Sequence, residues 1–250
     1  YNTREHNPTY WNLNTYTGND FFEKMLSEKN GNVVVLAGNN QLKTDYILQS
    51  VDAGLNILAD KPMAIDNASF EQLKNAFTLS AKRDVLLYDI MTERYNFINI
   101  LNRVLMQDKE LFGTITKGTP ENPAVEMESV HHFYKIVSGT PLTRPAWYYD
   151  VEQQGEGIVD VTTHLIDIVN WKCFPEVALD YKKDIKVTDA SHWATPISLD
   201  QFRLSTKVEE FPDYLHKYMK DSTLYVYANG TINYQVKDVN VSIKVVWDYQ

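Results

Sequence analysis

Gly54-Leu55-Asn56-Ile57-Leu58-Ala59-Asp60-Lys61-Pro62-Met63-Ala64-Ile65-Asp66 sets a short apolar run directly before an acid, a lysine and a proline. The run has the length of a buried strand. Pro62 has no amide donor and restricts Lys61 to extended or turn geometry, so the strand should stop with the Lys61 ammonium at its carboxyl end. In open α/β sheets that end faces the ligand crevice. Taken alone, Asp-Lys-Pro fits a surface turn better; the flanking pattern reverses that.

Upstream, Val33-Val34-Val35-Leu36-Ala37 is uninterrupted and β-branched, as expected of a parallel strand covered on both faces, and Gly38-Asn39-Asn40 breaks it. Leu42, Tyr46, Ile47 and Val51 then recur at helical spacing, with Gly54 as a C-terminal cap. Strand, helix and strand make a βαβ unit. The pattern repeats: Asp66 or Asn67 caps a helix carrying Phe70, Leu73 and Phe77, and Val85-Leu86-Leu87-Tyr88 is the next buried strand. Before the unit, Phe21, Phe22, Met25 and Leu26 mark a helix ended near Asn30-Gly31, and residues 1–20 read as loop. After it, Tyr95, Ile98, Leu101 and Leu105 mark a helix that stops before Leu111-Phe112-Gly113.

From Thr114 the texture changes to alternating strands and longer loops. A strand is expected through Ser129 to Val137, then a loop with Pro141, Pro145 and Trp147, then Gly155-Glu156-Gly157. Thr223 to Val236 reads as a hairpin about a tight Asn229-Gly230 turn, and Val239, Val241, Ile243, Val245 and Trp247 alternate in a further strand. The expected fold is α/β: an incomplete Rossmann-like parallel-sheet domain over 1–92, and an α+β substrate and dimerisation domain with an open, mainly antiparallel sheet over 93–250.

Composition narrows the function. At 250 residues, 44% hydrophobic and 12% aromatic, the chain can bury an ordinary core. A net charge of −9 argues against nucleic acid or an anionic membrane surface as partner. The single cysteine, Cys173, forms neither an internal disulfide nor a cysteine-based zinc site. No apolar run reaches the roughly 18 to 20 residues a membrane helix needs, and no signal peptide is evident. A cytoplasmic setting is the default expectation.

A second constellation lies on the helix expected from Ile158 to about Trp171. Val161, Leu165 and Ile168 share one face; Asp160, His164 and Asp167 share the other. A carboxylate one turn from an imidazole can orient it and stabilise its protonated form, which a proton-transfer histidine needs. The blander reading is a solvated face. His131-His132 with Glu126 and Glu128 do not suit a metal site, because neighbours on a strand point to opposite faces. Trp147, Tyr148 and Tyr149 fit sugar stacking and core packing equally.

Taken in chain order, these features resemble the Gfo/Idh/MocA family of oxidoreductases. The family's strand-end Glu-Lys-Pro is matched by Asp60-Lys61-Pro62, and its Thr-Pro-Asn at Asn40 only, with Gly38 and Asn39 in the other places. Its Gly-rich, Asp, His helix signature is matched by Gly155, Gly157, Asp160 and His164. Arg94-Tyr95-Asn96 is similar to the Arg-Phe-Asn that opens its interdomain helix.

The resemblance implies hydride transfer between NAD or NADP and a sugar or polyol hydroxyl. Lys61, Asp160 and His164 would be catalytic, and Gly38, Asn39, Asn40, Asp60, Lys61 and Pro62 would hold cofactor. Lys61, Arg94, Trp147 and His164 would contact a carbohydrate substrate. It also implies a cis Lys61–Pro62 peptide and a homodimer or higher homo-oligomer; no metal is expected, on the strand geometry given above. Two alternatives stay open: an NAD-dependent glycoside hydrolase of the same family, and a non-catalytic carbohydrate-binding or scaffold relative. One departure is plain. The Gly-x-Gly-x-x-Gly turn of a dinucleotide fold is absent, and the only Gly-x-Gly is in the second half. With the first βαβ unit also lacking, the expectation is that the native protein has residues before Tyr1.

Overall fold

The computed structural model describes residues 14–250, so the loop reading of residues 1–13 lies outside the described residues. Three short apolar runs form a parallel sheet in chain order: β1 (Val33–Leu36), β2 (Asn56–Asp60) and β3 (Leu87–Ile90). Helix α1 (Phe21–Glu28) precedes them, and α2 (Lys43–Asp52) and α3 (Asn67–Arg83) are the crossovers. Asp66 opens α3 with a capping box, its side chain accepting from Ser69 N. Ile47 and Val51 of α2 and Leu73 and Ala76 of α3 pack on Ile57, Ala59 and Leu87 of the sheet.

The second face of this sheet departs from expectation. Val35, Leu58 and Tyr88 stand in one row across the three strands and are 60%, 39% and 53% exposed. Both crossover helices lie on the other side, and the pleat sends alternate side chains away from them. Strand β3 also begins later than Val85. The left-handed Asp84 cap turns Val85 back onto the Ser80 carbonyl of α3, which removes it from the ladder.

Helix α4 (Phe97–Met106), capped by the Asn96 side chain, leads into the second half. There β4 (Val125–His132), helix α5 (Thr162–Cys173), β5 (Ile185–Ile197), helix α6 (Leu199–Thr206), β6 (Thr223–Val236) and β7 (Val239–Asp248) follow. The strands lie in the order β4-β7-β6-β5; β4 and β7 run parallel and the other pairs antiparallel. The sheet is therefore open and mixed, with antiparallel pairs in the majority. Val161 and, from α5, Leu165 and Val169 join Phe133, Tyr149, Phe202, Leu224, Val236 and Ile243 in one core. Buried apolar side chains of this kind are each worth about 1.5 to 3 kcal/mol relative to exposure.

Two strand readings change. The strand expected at 129–137 is β4, ending at His132; Ser138 and Gly139, both at positive φ, turn a separate short ladder from Ile136–Val137 to Thr140–Pro141. Asn229-Gly230 is not a hairpin turn, because β6 runs straight through it and the chain reverses at Lys237-Asp238. The reason is tertiary. Asn229 is 2% exposed; its Nδ2 donates to Trp193 O and Thr195 Oγ1 while its Oδ1 accepts from Trp247 N, opposite a bulge in β5.

Candidate active site

The site forms where the two halves meet. At the end of β2, Asp60 Oδ1 accepts from the Lys61 backbone N–H at 2.9 Å, and the Lys61–Pro62 peptide is cis. Asp60 thus shapes its own turn instead of pairing with the Lys61 ammonium. That ammonium crosses to the second half, where Nζ donates to Asp160 Oδ1 at 2.7 Å and to Asp160 O at 3.3 Å. The two side chains are only 18% and 10% exposed, so this charge-assisted bond is far less screened than a surface pair.

Asp160 is placed by the Gly155-Glu156-Gly157 turn and the single helical turn Gly157–Asp160. Gly157 rides against β6 so closely that a Cβ would fall 1.8 Å from Ala228 O, and only glycine fits there. Gly230, in turn, makes room for Ile158, whose Cδ1 would lie 2.5 Å from a Cβ at that position. Glu156 Oε2 meets His192 Nδ1 of β5 at 2.7 Å, which ties the turn to the sheet a second time.

His164 follows on α5, but the expected bond from Asp160 is not formed. The carboxylate faces Lys61, and His164 Nδ1 is buried with no hydrogen-bond partner among the described residues. The helical path tightens at Val161, where His164 N bonds a carbonyl three residues back. Burial pushes the imidazole below the ordinary histidine range and the Lys61 charge pushes it the same way, against Glu93, Asp160 and Asp60. The ring is therefore neutral at pH 7, with a lone pair to offer.

Asp167, the third polar residue of that face, binds Arg94: Nε donates to Oδ2 at 2.7 Å, and a second nitrogen donates to Oδ1. The arginine expected to contact substrate is engaged in tying the 92–95 turn to α5. The 38–40 loop is likewise divided. Gly38 has open space beyond its Cα, whereas Asn39 Nδ2 donates to Gln153 Oε1 at 2.9 Å and Asn40 Nδ2 to Gln154 O at 2.7 Å, across to the second half.

Of the aromatic trio, Tyr149 is fully buried, stacked on Phe133 with its hydroxyl at Ser205. Tyr148 lies under the Arg144 guanidinium and lines a small cavity with Gly157 and Asp160. Trp147 is half-buried beside Tyr148, with ring centroids 6.4 Å apart.

Two residues near the site are not assigned a part in it by the sequence reading, which weighs His131 only as a metal ligand. His131 of β4 stacks on Trp247, bonds Ser129 Oγ at 2.8 Å, and feels both Asp160 and Lys61 while burial holds its pKa below normal. Lys43, at the start of α2, is only 2% exposed. Nothing in the spacing around Lys43 marks it; a charged residue at a helix start reads as solvent-facing.

Residues 101–250 match the family model described as "Putative oxidoreductase C terminal domain", and residues 3–89 match "Oxidoreductase family, NAD-binding Rossmann fold". No curated protein matches. Among solved structures, one described as a "putative oxidoreductase", from Parabacteroides merdae, is 50% identical over 100% of this chain and 57% of its own, with a TM-score of 0.96. The WlbA dehydrogenase from Bordetella pertussis, in complex with NADH and UDP-GlcNAcA, shares the fold at 18% identity and TM-score 0.51 over 90% of this chain and 51% of its own. GenD2 from gentamicin A biosynthesis, in complex with NAD, does so at 15% and 0.58 over 90% and 50%. The chain spans between half and three-fifths of the length of these structures.

Proposed function

The chain belongs to the Gfo/Idh/MocA-type oxidoreductases and carries their NAD-binding Rossmann fold, and we propose that it moves a hydride between NAD and a hydroxyl carbon of a sugar or polyol. The observation that carries this reading is the bond of Lys61, from the parallel sheet, to Asp160 of the second half, with the His164 imidazole near enough to feel the Lys61 charge.

The residues present suit the cofactor. Gly38 leaves open space at the carboxyl end of β1, beside the turn that ends β2, where open α/β sheets take ligands. Gly38 and the Asp60-Lys61-Pro62 turn would line it, with Asn39 and Asn40 holding the loop against the second half. When bound, the nicotinamide supplies the hydride acceptor.

The chain's own groups handle the proton and the charge. His164, neutral at pH 7, takes the hydroxyl proton on its imidazole as general base. Lys61 donates a hydrogen bond to the reacting oxygen and offsets its developing negative charge. Asp160 anchors the Lys61 ammonium, so its part is to aim the lysine more than to orient the histidine. Leu165 and Val169 anchor α5 on the second core, and the Lys61–Asp160 bridge is itself largely shielded. A structural neighbour solved with NADH and UDP-GlcNAcA makes sugar hydroxyls, free or nucleotide-linked, the first class to assay.

His164→Ala and Lys61→Met in the full-length enzyme test the reading. Each should lower nicotinamide reduction by about 10²- to 10⁴-fold while circular dichroism still reports a folded chain; Lys61→Met, which leaves Asp160 unpaired, should also lower the melting temperature. Retained turnover in either variant refutes the assignment. Sugar release without net change in nicotinamide absorbance would redirect it to hydrolysis.

A further inference from the structure

Lys43 is the least expected residue near the site. Its side chain is buried, and its ammonium donates to Asn40 Oδ1 at 2.5 Å, to Asp60 O at 3.0 Å and to Pro62 O at 3.2 Å. Three N–H donors meet three acceptors, so the group is fully satisfied without water. Two of those acceptors are the carbonyls immediately before and after Lys61. We infer that Lys43 is a positioning residue that clasps the backbone on either side of Lys61 and so fixes where the Lys61 amine meets the reacting oxygen.

Three further observations favour this over simple filling of the turn. A buried ammonium is costly, and the cost shows: desolvation draws its pKa down to about 8, with Lys61 pushing the same way and Asp60 and Asp160 opposing. Two ammoniums and two carboxylates therefore share one small region, an arrangement that backbone carbonyls alone would not require. Second, the third acceptor is Asn40, whose backbone N–H donates to Gln153 O at 3.1 Å and whose amide donates to Gln154 O at 2.7 Å. Lys43 thus links the Lys61 turn to the segment that enters the Gly155-Glu156-Gly157 turn and Asp160. Third, Lys43 sits in the first turn of α2, which packs through Ile47 and Val51 onto the parallel-sheet core, so its base is rigid. A group held this way transmits that rigidity to the turn it clasps.

The inference rests on Lys61 being the group that contacts the reacting oxygen, and a double-mutant cycle in the full-length enzyme tests it. Lys43→Met should lower kcat about 10- to 100-fold, the scale of a misplaced catalytic group, with KM for NAD changed less than about threefold. Added to Lys61→Met, it should change kcat by less than about twofold, because Lys43 acts through Lys61. Equal losses in both backgrounds overturn the inference. If Lys43→Met does not fold, Lys43→Gln enters the same cycle. A second readout needs neither cofactor nor turnover: the rate of acetylation of Lys61 by acetic anhydride, followed by mass spectrometry, should differ by at least about threefold between Lys43→Met and wild type, because a shifted turn alters how Asp160 holds the amine. Unchanged Lys61 reactivity overturns the inference even where the redox reading itself has failed.

Discussion

The two halves that meet at Lys61 and Asp160 hold their functional groups by opposite means. On the parallel-sheet side, strands of four or five residues are packed on one face only, and Val35, Leu58 and Tyr88 stand exposed on the other. Lys61 there depends on hydrogen bonds from a buried charge. On the mixed-sheet side, strands of eight to fourteen residues and α5 enclose a continuous core, and Asp160 is held by backbone contact at Gly157. Steric placement is insensitive to pH; placement by an ammonium is not. The lysine end of the site should therefore respond to protonation, and the aspartate end to the addition of a single methyl group.

The largest difference should appear at glycines. Gly157→Ala puts a Cβ into the Ala228 backbone, which cannot yield as a flexible side chain would, and should cost at least about 3 kcal/mol in urea unfolding. Gly38→Ala, with open space ahead of it, should cost less than about 0.5 kcal/mol. Equal costs would break the contrast.

Lys43 gives the next effect. Its native pKa, about 8, lies below the 10.5 of a free lysine. Between those values the unfolded chain binds the proton and the native chain does not, so stability rises with pH across that window. Relative to Lys43→Met, the wild type should gain up to about 3 kcal/mol between pH 7 and pH 11. A flat difference would show that the buried ammonium costs nothing.

The smallest effect tests the convergence itself. Because Lys61 helps to hold the His164 imidazole low, Lys61→Met should move its NMR titration upward, toward the ordinary histidine range. The acid limb of kcat/KM, which reports the base becoming neutral as pH rises, should lie below that range in the wild type. No movement of the His164 titration would place the amine and the imidazole too far apart to share one reaction.

How much of this was legible beforehand varies with the kind of signal. The βαβ runs were readable because short apolar β-branched runs alternate with helical spacing, although the burial of both strand faces they suggest is not met at Val35, Leu58 and Tyr88, and Asp60-Lys61-Pro62 because proline punctuates a strand in any context. Val161, Leu165 and Ile168 are buried as their spacing requires. Asn229-Gly230 was misread because the same dipeptide that favours a tight turn also suits a strand where Asn229 satisfies three backbone and side-chain partners and Gly230 admits Ile158. Asp160 does favour the protonated form of His164, but it does not bond the imidazole, because helical spacing fixes which residues share a face, not which partner a carboxylate prefers once a lysine arrives from 99 residues away.

Sequence alone determined the alternation of strands and helices, the turn that stops β2 at Lys61, and the helical character of the stretch carrying Asp160 and His164, because each depends on local periodicity and backbone restriction; the break of that stretch at Val161, between the Gly157–Asp160 turn and α5, it did not determine. Only the tertiary structure decided that Asp160 binds Lys61, that Arg94 binds Asp167, and that Lys43 turns inward to clasp the carbonyls flanking Lys61. Those pairings depend on which charges share a place shielded from water, and that is settled when the two halves pack.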